Sequence, residues 1–246
     1  MNVPDQSEDQ SHTQFSQSQS DAALSVEQAI KTRLSCRRYL DKPVSRETVE
    51  KMLEIARYAP SGTNIQPWKV HVTMGETRRR LSAALTEAFL SGPEEEREYQ
   101  YYPTDWFEPY LGRRRACGWG LYGALGIGKG EREKTRDQHA KNFDFFGAPV
   151  GLIFSMDKRL NTGSWLDYGM FLQSVMIAAR GLGLHTCAQA AFCGFHSTIR
   201  EVLGIPDSDH IICGMSLGYG DMSAPENIWR TEREPVSSFT TWMIEP

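Results

Sequence analysis

APSGTNIQPWKV, residues 59–70, joins a helix that ends near Ala59 to a strand that begins near Trp68. Pro60 stops the helix because it pushes the preceding residue out of helical geometry. The intervening loop is rich in short hydrogen-bonding side chains, namely Ser61, Thr63, Asn64 and Gln66 around Gly62. Such a loop suits a polar, planar ligand lying against the backbone, although an ordinary connector between a helix and a strand has the same composition.

A second polar pattern, RLSCRRY at residues 33–39, lies one helix upstream. Arg33, Ser35 and Arg37 alternate along it, so an extended segment projects two guanidinium groups and a hydroxyl to one side. These groups can fork onto a phosphate. The alternative is a basic turn whose arginines are solvated. The pattern therefore predicts either an anion site or plain polar surface.

Together, RLSCR and APSGTNIQPW resemble two motifs of the FMN-dependent nitroreductase family, in the family's order, and residues 181–220 resemble its C-terminal half. The resemblance is to the nitroaromatic and nitrobenzoate reductase branch. It covers most of residues 25–240 and weakens over about 91–141. It implies an α+β protein of the nitroreductase fold, with a mixed, mainly antiparallel sheet flanked by helices, that forms an intertwined homodimer with two FMN sites.

The resemblance also implies where FMN is held. The phosphate is expected at Arg33, Ser35 and Arg37, with Arg233 supplied by the other subunit. The remaining candidate cofactor contacts are Pro60, Ser61 and Asn64 against the flavin ring, the main chain of Ala191, Phe192, Cys193 and Gly194 at its edge, and Asn142. Some relatives carry an acidic residue where Cys193 stands, so a carboxylate that places the nicotinamide is not expected here.

The implied activity is two-electron reduction of a nitroaromatic or quinone-like acceptor with NAD(P)H as donor. No catalytic side chain is predicted, because the hydride chemistry belongs to the flavin. No GxGxxG follows a strand, so NAD(P)H is expected to bind transiently and to share one site with the acceptor in a ping-pong mechanism. The alternatives are a dehalogenase or flavin-destroying variant of the family, and a flavin-binding module without turnover.

Composition narrows the class of protein. With 246 residues, a net charge of −4 and a pI near 5.9, the chain lacks the broad basic field of a nucleic-acid binder. Its five cysteines are odd in number and form no CxxC pair, so neither a disulfide framework nor a metal site is predicted. No apolar run reaches the ~20 residues that cross a bilayer. We expect a cytoplasmic protein that binds neither membrane nor nucleic acid.

Residues 1–22 are rich in Gln and Ser and are predicted to be a mobile tail. Residues 23–246 are predicted to be a single FMN-binding domain, with an aromatic-rich insertion at about 91–141. The insertion is either the core of an extra lobe or a wall that stacks on small aromatic acceptors. The second interpretation makes Trp106, Phe107 and Tyr110 the candidate substrate-binding residues.

Apolar spacing predicts the main elements. Helices are expected at residues 25–33, 45–59, 76–90, 113–128, 131–145, 164–183 and 197–203, and strands at 68–74, 150–156 and 211–217, with 184–192 extended. The strand at 68–74 is expected to bury Trp68, Val70, Val72 and Met74 and to turn His71 away from them. The helix at 164–183 is apolar nearly all round, so it is expected to be buried on every side.

Overall fold

The computed structural model describes residues 22–23 and 25–245. Its centre is a four-stranded sheet in the order β1-β2-β4-β3, with every neighbouring pair antiparallel. The strands are β1 Lys69–Met74, β2 Val150–Asp157, β3 His185–Gln189 and β4 Asp209–Gly218. One isolated parallel bridge, from Ser35 to Thr186, adds the only parallel pairing among the described residues. The predicted α+β fold with a mainly antiparallel sheet is confirmed. The predicted tail, apart from Ala22, lies outside the described residues.

Helices flank this sheet. They are α1 Val26–Thr32, α2 Arg46–Ala56, α3 Gly75–Ser91, α4 Tyr110–Ala124, α5 Arg132–Ala140, α6 Thr162–Gly181, α7 His196–Leu203 and α8 Pro225–Ile228. Ser25 and Ser45 begin the first two, since each hydroxyl accepts a hydrogen bond from the backbone three residues on, at 3.1 and 3.2 Å. None of the helices in the described part of the chain is both long and apolar enough to cross a bilayer.

Both faces of the central strand β2 are buried, which is why its sequence is a continuous apolar run. Leu152, Phe154 and Met156 pack with α2 and α6 in one hydrophobic cluster. Ile153 points to the opposite face and joins a second cluster built on α3, α7 and a group of phenylalanines. The molecule is therefore layered, helices against sheet against helices.

Two elements of the insertion are shorter than predicted. α4 ends at Ala124 and α5 at Ala140, not at residues 128 and 145. Beyond α5 the chain adopts positive φ angles at Phe145 and Phe146, 50° and 55°, which turn both rings into the second cluster. Burial of these rings, which sequence periodicity does not report, outweighs continuation of the helix.

The prediction for β1 is wrong in part. Val72 is 40% exposed, whereas Thr73 on the opposite face is buried and donates a hydrogen bond to the Gly151 carbonyl at 2.8 Å. β1 is the edge strand of the sheet, and α3 covers the face that carries Thr73. His71 is bonded to a neighbour, since its Nε2 is hydrogen-bonded to Ser155 Oγ at 2.9 Å.

The prediction that α6 is buried on every side is also wrong for the single chain. Tyr168, Phe171 and Val175 are fully buried, but Leu166 and Met170, one turn apart, are 70% and 40% exposed. A 20-residue helix through the middle of the fold thus keeps an uncovered apolar strip. Such a strip is a typical site of subunit contact.

The insertion is not the core of an extra lobe. α4 contains no buried residue, and Phe107, Tyr110 and Trp119 are each at least half exposed. α4 is attached to the domain by the ring of Trp229, which lies so close to Gly120 that a Cβ there would overlap it. The aromatic residues of α4 and of the turn before it therefore lie on the surface and not in an interior.

Candidate functional site

The segment around Ser35 is held extended beside β3. Ser35 forms the parallel bridge to Thr186, and the Cys36 N–H donates to the Thr186 carbonyl at 3.0 Å. Leu34 and Cys36 are consequently buried, while Arg33, Ser35 and Arg37 lie on the other side. The predicted one-sided alternation is confirmed.

All three polar side chains lie near enough to the thiol of Cys187 in β3 to influence its pKa. Burial raises the pKa of this thiol, while the positive charge of Arg37, a hydrogen bond with Ser35 and the positive charge of Arg33 oppose that rise. Both guanidinium groups and the hydroxyl therefore lie in the neighbourhood of this cysteine.

The charge at this point is not neutralised. Arg37 and Arg233 donate to carbonyl and hydroxyl oxygens of their own segments, and within the described residues no carboxylate forms an ion pair with Arg33, Arg37 or Arg233. The pKa of Arg33 is lowered, first by burial and then by the positive charge of Arg233. An anion placed here would relieve the repulsion between the guanidinium groups.

Arg233 reaches this cluster differently from the expectation. The resemblance placed it on the other subunit, whereas the single chain brings it close enough to Arg33 of the same chain to affect its pKa. The two arginines therefore lie in the same neighbourhood of a single chain.

Asn227 positions the arginine segment and was missed in the sequence. Its Oδ1 accepts a hydrogen bond from the Arg37 N–H at 2.8 Å, and its Nδ2 donates to the carbonyls of Arg38 and Asp221 at 2.8 Å each. The residue is completely buried. Its four-residue helix is too short for a periodic signal, so only the tertiary contacts reveal its role.

The candidate site continues along β3, away from the arginines. Gln189 follows Thr186 by about 10 Å at the rise of an extended strand, and its Nε2 donates to the Asn142 carbonyl at 2.8 Å. Asn142 is thereby brought to the end of β3, next to Ala190 and Ala191. Buried Thr186 Oγ1 and Gln189 Oε1 have no hydrogen-bond partner in the described part of the chain. Buried polar atoms are rarely left unpaired. Residues 186 and 189 project from opposite faces of the strand, so a ligand on one face would satisfy only the acceptor on that face.

The segment after β3, residues 190–194, can contact a ligand mainly through its backbone. Phe192 is fully buried against Phe145, with ring centroids 4.8 Å apart, and against Gly214. Cys193 Sγ donates to the Ile212 carbonyl at 3.2 Å. The Gly194 carbonyl accepts from the Glu95 N–H at 2.9 Å, so the insertion covers it. Ala191, which is partly exposed, remains the accessible member of this set.

The loop at residues 60–66 is exposed and strained. Thr63, Asn64 and Gln66 have positive φ angles of 49°, 61° and 48°, and such conformations cost about 1 kcal/mol or more each. The Gly62 N–H donates to Asp167 Oδ1 in α6 at 3.0 Å, and Ser61 Oγ accepts from the Gln66 N–H at 3.0 Å. These hydrogen bonds hold the loop in its strained conformation. The loop therefore stays exposed at the surface.

One chain does not bring this loop to the arginines. The loop contacts α6 at Asp167, whereas the arginine segment lies beside Arg180, whose Nε is 3.3 Å from Thr32 Oγ1. At 1.5 Å per residue these two points of the helix are about 20 Å apart. Pro60, Ser61 and Asn64 thus belong to a loop anchored near one end of α6, whereas Arg33, Ser35 and Arg37 follow a helix anchored near the other end.

A cavity of about 710 Å³ borders Gln189 and Ala190. It is lined by aromatic rings that include Tyr99, Tyr101, Tyr102, Trp165 and Tyr168. The first three belong to the insertion and were not selected from the sequence, since a dense run of aromatics does not show which rings face inward.

The three insertion residues that were selected lie elsewhere. Phe107 and Tyr110 contact each other edge to face at 5.2 Å and are 59% and 50% exposed. Trp106 lies under the guanidinium of Arg114, 4.9 Å from its ring centroid. None of the three lines this cavity, so their substrate-binding role stays a prediction.

Behind the cavity, Glu98 is bound by two cations. Its carboxylate lies 2.8 Å from Arg200 Nη2 and 2.6 Å from Lys158 Nζ. Burial alone raises the pKa of Glu98, but the hydrogen bonds from Arg200 and Lys158 outweigh it and lower the pKa to about 2. The insertion is therefore anchored electrostatically to α7 and to the residue after β2.

Replacing Glu98 by Gln is expected to lower the free energy of unfolding at neutral pH by about 2–3 kcal/mol, because buried Arg200 loses its charged partner. The unfolded carboxyl titrates near 4.5 and the folded one near 2. The wild-type advantage is thus complete above pH 4.5 and is lost as the pH falls towards 2. Urea unfolding of both proteins across this range measures it. Glu87→Gln, an exposed change on α3, is the control, and a difference independent of pH would contradict the assignment.

The geometry defines an α+β protein with an uncompensated anion site at one end of a strand and unpaired polar atoms along it. Comparison with known proteins supports this description. The model of the Nitroreductase family matches residues 30–219, and the chain belongs to this family.

Individual relatives extend over nearly the whole chain. A nitrobenzene nitroreductase of Ectopseudomonas oleovorans is 41% identical over 89% of this chain and 97% of its own length. A 4-nitrobenzoate reductase of Pseudomonas putida is 42% identical over 87% and 93%. The crystal structure of the FMN and NADPH-dependent nitroreductase NfnB from Sphigopyxis sp. strain HMH superposes with a TM-score of 0.87 at 34% identity, covering 90% of this chain and 100% of that one.

Proposed function

We propose that this protein is an FMN-dependent oxidoreductase that uses NAD(P)H to reduce nitroaromatic or quinone-like acceptors. The observation that carries the proposal is the arginine cluster at one end of β3, which has no carboxylate partner among the described residues. Family membership supports it, as does the printed description of NfnB as FMN and NADPH-dependent.

The residues present fit FMN. Its phosphate dianion would supply the negative charge that Arg33, Arg37 and Arg233 lack, and the Ser35 hydroxyl would be a further hydrogen-bond donor. On the face of β3 that carries Cys187, the unpaired Gln189 Oε1 suits a hydroxyl or N–H donor of the ribityl chain or the flavin ring. Asn142, fixed by Gln189, and the main chain at Ala191 complete the proposed contacts.

When bound, FMN supplies two-electron transfer between the nicotinamide and the acceptor. The net reaction converts NAD(P)H, a proton and a nitroarene into NAD(P)⁺, a nitrosoarene and water. The protein orients the reactants. The Cys193 thiol is turned into the core and its pKa is raised, chiefly by burial, so this segment presents no side-chain acid to the acceptor.

We further propose a cytoplasmic homodimer in which the loop at 60–66 of one subunit covers the FMN of the other. The loop and the arginine segment of one subunit contact α6 at points about 20 Å apart along the helix, which supports this arrangement. The exposed apolar strip at Leu166 and Met170 provides the contact surface. The described cysteines are all free thiols, in keeping with a reducing compartment.

Steady-state kinetics tests the activity. If donor and acceptor share one face of the flavin, the initial rate against NADPH, at several fixed nitrobenzene concentrations, is expected to give parallel reciprocal lines. Free FMN at the same concentration is the control. Intersecting lines would indicate a ternary complex. A bound flavin that NAD(P)H never bleaches would instead identify a flavin-binding module without turnover.

A further inference from the structure

The cavity beside Gln189 has aromatic walls. Its aromatic walls, Tyr101 and Tyr102 on the insertion and Trp165 on α6, suit a planar ring. Tyr99 stiffens the junction between these walls, since its ring lies 4.5 Å from Trp165 and its hydroxyl donates to the Ile212 carbonyl at 2.9 Å. The rings are therefore held in place before a ligand arrives.

The described side chains that line the cavity carry positive charge and no negative charge. Of the described residues that line the cavity, Lys158 is the only one charged at neutral pH, and none is a carboxylate. His210 also lines it, and burial lowers its pKa, which keeps the imidazole neutral. His210 Nδ1 is buried without a hydrogen-bond partner in the described part of the chain.

The pairing of Lys158 with Glu98 does not cancel this charge. Glu98 is already held by Arg200, whose side chain is 9% exposed, so one carboxylate faces two cations. Asp207 approaches Arg200 at 3.6 Å but is fully exposed and therefore weakly coupled. The set retains a positive charge, and Lys158, 36% exposed, is the member that reaches the cavity.

We propose that this cavity binds the carboxylate of an aromatic acid acceptor and that Lys158 determines this specificity. The proposal rests on the proposed function, since the cavity ends at Ala190, beside the proposed flavin edge. Relatives of nearly equal identity are named for a neutral acceptor and for a carboxylated one, so overall similarity does not decide between them. The charge of the cavity favours the nitrobenzoate class over nitrobenzene.

The test compares kcat and KM for 4-nitrobenzoate, its uncharged methyl ester and nitrobenzene. In Lys158→Met the kcat/KM for the acid is expected to fall about tenfold, mainly through KM, as loss of one charge-assisted contact predicts. The neutral acceptors are expected to change far less, and Lys158→Arg is expected to restore most of the loss. Lys51→Met, an exposed change on α2, is the matched control.

Salt provides a readout that needs no variant. The wild-type KM for 4-nitrobenzoate is expected to rise with ionic strength, whereas that for the methyl ester is not, because only the charged pair is screened. Equal effects on acid and ester, or no preference for the acid in the wild type, would overturn the proposal. Absence of FMN, or of turnover with every acceptor, would refute the proposed function instead.

Discussion

The double variant Arg33→Ala/Arg37→Ala is expected to purify without flavin, with its affinity for FMN reduced at least about a hundredfold. Each charge-assisted hydrogen bond to the phosphate contributes roughly 1.5–3 kcal/mol, and every 1.4 kcal/mol changes a dissociation constant about tenfold. The fold is expected to survive, since neither guanidinium pairs with a carboxylate in the described residues and both lie on the open side of the segment. Flavin absorbance per chain and titration of the apoprotein with FMN measure the effect.

Arg38→Ala is the matched control. Arg38 follows Arg37 directly but points away, and its Nε pairs with buried Glu226 at 3.2 Å. Its removal is expected to leave FMN binding intact while lowering the free energy of unfolding by about 1–2 kcal/mol, since Glu226 is left without its cation. The two variants therefore dissociate cofactor binding from stability. Equal loss of FMN in both would rule out the arginine segment as the phosphate site.

The second large effect is expected from mixing two inactive variants. Arg33→Ala/Arg37→Ala removes the phosphate site, and Gly62→Trp places a bulky ring on the exposed loop without straining it, because Gly62 does not have a positive φ. Each homodimer is expected to lack FMN. In the mixed dimer one site combines both defects, while the other combines an intact arginine segment with an intact loop. Random association should thus restore about a quarter of the wild-type FMN content.

The reciprocal mixture is the control. A chain that carries all three changes, mixed with wild type, has both sites of the mixed dimer defective if the subunits share them. Only the wild-type homodimers then bind FMN, again about a quarter of the sites. If each chain built its own site, the first mixture would recover nothing and the second would keep about half. Either of those outcomes would contradict a shared site.

Short-range patterns by themselves determined much of this protein. The alternation over residues 33–37 specified which side chains share a side, because an extended backbone points successive residues in opposite directions. Ser25 and Ser45 marked helix starts, since a cap satisfies the N–H groups of its own first turn. The unbroken apolar run of β2 specified a strand buried on both faces. The two polar motifs, taken together, pointed to the family.

Tertiary structure decided the rest. It set Asn227, 190 residues distant, against Arg37. Phe192 and Cys193 were turned into the core, and Tyr99 to Tyr102 were drawn from the insertion to the cavity beside β3. The arginine segment and the loop at 60–66 were placed at different points along α6. These outcomes depend on which distant surfaces pack together, and such contacts leave no period in the sequence, so only the folded chain reveals them.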